Sequence, residues 1–198
     1  RETIVSLLEA NLPLLIEKPL FDKLDGEDLV QAITEKNIVT YVACNLRFLK
    51  CLLFAKDFIN GKRINEVNIY CGSYLPDWRP GQNFREVYSA NLEMGGGVHI
   101  DLVHEIDYAY WIFGKPKNYK RTLSNSSSLE ITAVDYANFL LQFDQFNINV
   151  VLNYYRRDAK RTLEVVCEDG TLHVDLLNGN VLWKGAIIFH SDQKIIDT

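Results

Sequence analysis

From residue 133 to residue 189 the chain reads as one strand after another: 133–143, 147–155, 161–168, 170–176 and 180–189. Two links carry the Asp-Gly and Asn-Gly signal of tight hairpins, "EDGT" at 168–171 and "LNGN" at 177–180. Consecutive strands joined this way leave few architectures open. They predict a large, mainly antiparallel sheet. "INEVNIYCG" (64–72) alternates like a half-buried strand, and "RFLKCLLFAKDFING" (47–61) is an amphipathic helix ended by Gly61. Between this strand and the next helix, "SYLPDWRPGQNFREVYSA" (73–90) has two prolines and scattered aromatics and reads as an irregular arm.

The first residues follow another pattern. Residues 2–10 fit a helix, "LPLLI" (12–16) a short buried strand, "DGEDLVQAITEKN" (25–37) a helix with an acid-rich first turn, and "IVTYVA" (38–43) a second buried strand. Strand, helix and strand in this order predict an α/β unit with parallel pairing. The change of pattern puts a boundary near residues 43–47. It separates a small parallel unit (1–44) from an α+β unit (45–198) with a mainly antiparallel sheet and helices.

Composition narrows the function classes. The net charge of −5 argues against a nucleic-acid surface, which needs a basic field. Cys44, Cys51, Cys71 and Cys167 form no CxxC pair and no zinc spacing, so they read as reduced, mostly buried thiols of a cytosolic protein. No apolar run approaches the ~18 residues of a spanning helix. "RETIVSLLEANLPLLIEKPL" does not look like a signal peptide. It begins inside a helical pattern without a methionine, as a fragment would.

The most chemically loaded stretch is "GGGVHIDLVHEIDYAYWIFG" (95–114). On one continuous helix at ~100° per residue, His104, Glu105 and Tyr108 fall within about 60° of Asp101. Leu102, Val103, Ile106, Ala109, Tyr110 and Phe113 take the opposite arc. A solvated polar face would explain this, but Trp111 and Ile112 flank the stripe and suggest that it is covered, and covered acids need partners. His99 points about 160° from Asp101 on the same wheel, so His99, Asp101 and His104 do not converge on a metal. The triple glycine is no GxGxxG fingerprint, since Ile100 stands where the last glycine should be. Its plainer use is to let backbone or ligand approach closely.

"EKP" (17–19) after a buried strand, "NLRF" (45–48) and the glycine-led helix, in this order, resemble the glucose–fructose oxidoreductase/inositol dehydrogenase (Gfo/Idh/MocA) family. The arm 73–89 is similar to a sugar-modifying bacterial branch of it. The resemblance spans essentially the whole chain. It implies an NAD(P)-dependent oxidoreductase of sugars, polyols and related compounds, with a Rossmann domain followed by an α/β domain whose open sheet often mediates oligomerisation. On this chain it implies that Glu17, Lys18 and Pro19 lie at the nicotinamide, with Lys18 near the reacting oxygen. Asp101 takes the place of the family acid and His104 that of the general base. Many members place three residues between this acid and histidine, whereas Leu102 and Val103 alone separate them here.

The residue types suit that chemistry. Hydride loss from an alcohol carbon must be coupled to loss of the hydroxyl proton, which an imidazole can accept. A carboxylate would orient the ring, and an ammonium would stabilise charge on the oxygen. Arg47 and, on the arm, Tyr74, Trp78, Arg79 and Arg85 are candidates for substrate contacts: aromatics can stack on a sugar face and guanidinium forks can hold anionic groups. The plain alternatives are a solvated Lys18 and an arm that packs on the domain or a partner subunit. Arg156, Arg157, Lys160 and Arg161 read as a solvated strand connection. The resemblance also implies a first strand, a glycine-rich phosphate loop and a ribose-binding acid ahead of residue 1. The expectations are therefore NAD or NADP as cofactor, a small sugar as substrate, neither nucleic acid nor membrane as partner, a cytoplasmic setting, and a homo-oligomer formed through the open sheet. The alternative is a non-catalytic dimerising or ligand-binding remnant.

Overall fold

The computed structural model describes residues 2–21 and 26–195. These divide into two compact units, Arg1–Cys44 and Asn45–Thr198. In the first, α1 (Glu2–Leu8), β1 (Leu14–Ile16), α2 (Glu27–Glu35) and β2 (Thr40–Val42) follow in order. The start expected for the second helix, Asp25, lies outside the described residues. The two strands pair in parallel, Leu14 opposite Thr40 and Ile16 opposite Val42. Ile4, Leu8, Leu14, Leu29 and Ile38 form a small core. The Lys18–Pro19 bond shortly after β1 is cis. The alternate strand positions are exposed, Leu15 at 77% and Tyr41 at 68%.

The second unit is built on one eight-stranded sheet. Its strands are β3 (Ile64–Tyr74), β4 (Asn118–Ser124), β5 (Tyr136–Gln142), β6 (Asn147–Asn153), β7 (Tyr155–Cys167), β8 (Gly170–Asp175), β9 (Asn180–Trp183) and β10 (Ala186–His190), in the spatial order β10-β9-β8-β7-β3-β6-β5-β4. Every neighbouring pair is antiparallel except β3 and β6. The fold class read from the sequence holds, with three differences in detail. Residues 180–189 form two strands, because Lys184 and Gly185 both take positive φ and fold the segment into a two-residue hairpin. The strand expected at 161–168 starts six residues earlier, at Tyr155. β4 was not expected: its residues, "NYKRTLS", are mostly exposed at the sheet's edge, so no apolar alternation marks it.

Alternation along the strands sends Val67, Ile69 and Cys71 of β3, Ile148, Val150 and Leu152 of β6, and Leu163 and Val165 of β7 into one core. The helices α3 (Lys50–Phe58), α4 (Val98–Asp101) and α5 (His104–Phe113) belong to this side. Leu52, Ala55, Tyr108 and Ala109 are their deeply buried contributions, and Lys56 over the Trp111 ring at 4.0 Å ties α3 to α5. The other face is more polar than the segments suggest. Asn138 donates to Asn149 across β5 and β6, and Asn68 donates to Glu66 and Glu164. The arm at 73–90 is irregular, with 3₁₀ turns at Leu75–Asp77, Phe84–Glu86 and Tyr88–Ala90. No helix among the described residues is long and apolar enough to cross a membrane.

Two turn glycines separate backbone strain from crowding. Gly179 and Gly185 both have positive φ, but a Cβ on Gly179 would lie 2.0 Å from the Ser191 carbonyl oxygen, while one on Gly185 meets nothing within 4 Å. Gly185→Ala should therefore cost only the left-handed penalty of about 1–2 kcal/mol. Gly179→Ala should cost that plus an overpacking cost of about 1–3 kcal/mol. Urea unfolding of both variants measures the difference.

Candidate functional site

The glycine run passes between two stretches of backbone. A Cβ on Gly96 would lie 2.0 Å from the Tyr88 carbonyl oxygen, and Gly96 N–H donates to the Asn91 carbonyl. Gly97 forms an isolated bridge with Val134, and Val98 N–H donates to the Val134 carbonyl. The glycines thus seat the start of α4 against its neighbours, a close approach that any side chain at Gly96 would obstruct.

The single helix expected within 95–114 is two helices. Leu102 takes φ −99°, ψ 32°, so α4 ends at Asp101 and α5 begins at His104. A wheel drawn through the break therefore does not relate Asp101 to His104. Both are nevertheless buried, at 5% and 9% exposure, as are Glu105 and Tyr108 at 0%. The polar stripe is buried, while Tyr110, on the opposite arc, is exposed.

Asp101 is held from the sheet. Tyr154, fully buried just beyond β6, donates its hydroxyl to Asp101 Oδ2 at 2.5 Å. Its own backbone is tied on both sides, N–H to the Asp135 carbonyl and C=O to Leu75 N–H. Burial, then the Asp101 charge, push the Tyr154 phenol well up, so it keeps its proton and remains a donor. Tyr88 is also pushed up, first by burial, while a bond to Ser89 opposes and Asp101 adds. One carboxylate thus stands among two phenols and a histidine. His99 is shifted down, chiefly by burial and then by Arg121, with Asp101 opposing. Its Nδ1 is buried without a hydrogen-bond partner.

The expected substrate residues take different places. Trp78 packs edge-on against Tyr154 at 5.3 Å, its indole N–H donating to Ser73, and Arg79 lies over the Tyr88 ring at 5.3 Å. Both therefore adjoin the tyrosines that surround Asp101. Tyr74 accepts from Arg157 at 2.8 Å. Arg85 stacks on Phe84 and donates to the Leu129 carbonyl. Arg47 is clamped to Asp107 by two bonds of 2.9 and 2.6 Å. Lys18 is partly buried between exposed Glu17 and Pro19, in the first unit. Among the described residues no three His, Cys, Asp or Glu side chains gather as metal ligands.

The expectation for one basic residue is corrected. Arg161 is not solvated: its side chain is 11% exposed, and its fork grips the Glu105 carboxylate at 2.6 and 3.0 Å. The reading also missed Tyr154 and Tyr88. The alternation of "INVVLNYY" (148–155) could have marked Tyr154 as inward-facing. Nothing local marks Tyr88.

The fold is that of a group of solved oxidoreductases. Residues 52–173 match the GFO/IDH/MocA C-terminal domain, and the chain belongs to that family. It is 29% identical over 119 residues to levoglucosan dehydrogenase of Pseudarthrobacter phenanthrenivorans, a match spanning 58% of this chain and 30% of that enzyme. In structure it is similar to the D-galactose-1-dehydrogenase protein of Rhizobium etli (TM-score 0.79, 15% identity, 98% of this chain and 62% of the other). It also resembles GenD2 from gentamicin A biosynthesis, solved in complex with NAD (TM-score 0.75, 20% identity, 90% and 52%). The chain thus spans less than two thirds of each of these relatives.

Two outcomes follow. Tyr154→Phe removes a charge-assisted bond to a buried carboxylate and should cost about 1.5–3 kcal/mol in urea unfolding. His99 is shifted down on folding, so its protonation favours the unfolded chain. Stability should be flat above its ordinary value near pH 6.5 and fall as the pH drops through and below it. His99→Gln should flatten that acid-side fall, as thermal melts between neutral and mildly acidic pH would show.

Proposed function

We propose that this chain is the substrate side of an NAD(P)-dependent oxidoreductase that removes hydride from a sugar or sugar derivative. One observation carries the reading: within the family domain, a carboxylate and an imidazole are buried on either side of a helix break, where a packed helix would normally place apolar groups. Levoglucosan dehydrogenase and the galactose dehydrogenase, relatives named for sugar oxidation, support the substrate class. The NAD in the GenD2 structure supports the cofactor.

In this reading His104 takes the hydroxyl proton of the substrate. Asp101, held by Tyr154, orients the imidazole and stabilises its charged form. Lys18 stabilises negative charge on the reacting oxygen. The bound nicotinamide supplies the hydride acceptor. Trp78 and Arg79 are the arm residues best placed to meet the sugar, since they pack on the tyrosines around Asp101. Arg47, Tyr74 and Arg85 would meet it only by leaving their present partners.

The first unit is the later part of the dinucleotide-binding domain. Its parallel pair leaves Leu15 and Tyr41 uncovered, and parallel strands are stable when both faces are buried. Glu17, Lys18 and Pro19 fit the nicotinamide end alone. Residues 1–44 contain one glycine, Gly26, and cannot form the glycine-rich turn that grips a diphosphate. The outer sheet face, where Leu140, Val151 and Leu182 stand among polar residues, pairs with a second copy. Buried thiols at Cys51, Cys71 and Cys167 fit a reducing, cytoplasmic setting.

The test is a panel of sugars and sugar derivatives, with NAD and with NADP, on the polypeptide as its gene encodes it. Turnover should fall about 10²–10⁴-fold in His104→Gln. The 198 residues alone should bind NAD(P) more weakly than micromolar by calorimetry. Cofactor reduction that is indifferent to His104 would refute the assignment. No oxidation across the panel would favour a binding or dimerising remnant.

A further inference from the structure

In the proposed reading His104 must be aimed, so whatever sets the rotation of its helix matters. It is the first residue of α5, directly after the break, and no side chain caps that helix start. With no cap, the N–H groups of this start turn back on the chain, those of Ile106 and Asp107 both to the Val103 carbonyl. The bond spanning the break, from Glu105 N–H to the Leu102 carbonyl, is long at 3.3 Å. Bonds of this kind close the turn but do not set its rotation over the sheet.

The next residue is held tightly. Glu105 is fully buried, and its carboxylate receives both arms of Arg161 from β7, at 2.6 and 3.0 Å. Cys71, directly opposite Arg161 on β3, and Tyr108, whose buried hydroxyl has no hydrogen-bond partner, complete a polar island under α5. Burial works to strip the proton from Arg161, and the Glu105 charge, the bonds to Glu105 and the neighbouring Cys71 and Tyr108 together more than offset it. The Cys71 thiol is pushed up, by burial first and then by Glu105, so it stays neutral. Two residues on, Asp107 is gripped by Arg47 in the same bidentate way.

Such an island is a poor way to gain stability. A buried ion pair is often matched or bettered by apolar residues of similar volume. An apolar underside, however, lets a helix turn or slide by repacking, whereas a two-point guanidinium–carboxylate contact tolerates little rotation.

We propose that Glu105 and Arg161 are positioning residues that fix the rotation of the first turn of α5 and so hold His104 in its buried orientation. This rests on the reading of His104 as the proton acceptor. The pair itself does not touch substrate.

The test uses this chain with Glu105→Leu and Arg161→Met combined, which replaces the pair by apolar side chains. The readouts are the melting temperature and the rate at which diethyl pyrocarbonate acylates His104, located by tandem mass spectrometry. The double variant should melt at or above the parent, while His104 reacts several-fold faster and half-buried His173 and exposed His190 react as before. A merely structural pair predicts a stable variant with parental reactivity at His104, and that result would overturn the proposal. If the double variant fails to fold, Arg161→Lys decides, since it keeps the charge and loses the fork. Faster acylation of His104 supports the proposal, whereas a parental rate or a second failure to fold assigns the pair to stability alone. Neither readout needs turnover. Loosening of His104 in a protein that oxidises no sugar would keep the positioning role and discard the proposed reaction.

Discussion

The inner face of the eight-stranded sheet is a continuous apolar surface, and its cover decides where everything else lies. Val67, Ile69, Val150, Leu152, Leu163 and Val165 have at most 1% of their surface exposed. Burial of this kind contributes roughly 1.5–3 kcal/mol per large side chain, so the helices have little choice of side. A chain that roofs such a sheet with α3 and α5 brings the start of α5 beneath its own polar groups. The candidate site exists because that roof is interrupted there. α4 ends at Asp101, α5 starts at His104, and the gap is filled from the sheet by Tyr154.

Polar groups under a roof of this kind carry a desolvation cost that only close partners offset. Each buried charge here has such a partner. Asp101 receives Tyr154, Glu105 receives Arg161, and the less buried Asp107 receives Arg47. The last two pairs anchor one helical turn, one to the sheet and one to the 3₁₀ turn Asn45–Phe48 that precedes α3. In the proposed reading the acids among "DLVHEID" (101–107) are divided between chemistry and anchorage: Asp101 faces the candidate site, while Glu105 and Asp107 hold the helix that carries His104.

The first unit makes a complementary point about completeness. Its two strands pair in parallel and bury one face on α1 and α2, but Leu15 and Tyr41 stand open on the other. A doubly covered parallel sheet is the ordinary solution to that exposure, and it is the solution that the proposed dinucleotide domain would supply.

Short-range chemistry made much of this legible in the sequence. The hairpins at 168–171 and 177–180, the alternation of the strands, the parallel unit and the covered polar stripe all follow from a period, a turn residue or a composition within a few positions. The edge strand β4 lacked such a signal because edge strands are polar on both faces. The features that turn the stripe into a candidate site were decided by the tertiary structure. Tyr154 meets Asp101 across 53 positions, Arg161 meets Glu105 across 56, and Arg47 meets Asp107 across 60. No local pattern specifies such a pairing. An arginine in a basic run reads as solvated until a buried acid is placed opposite it, and an acid in a helix reads as part of an exposed face until the sheet beneath it is known. The sequence by itself determined which residues could not face water without partners. The tertiary structure decided which partners they received, because only the packed sheet and its roof bring side chains so far apart in the chain within hydrogen-bond distance.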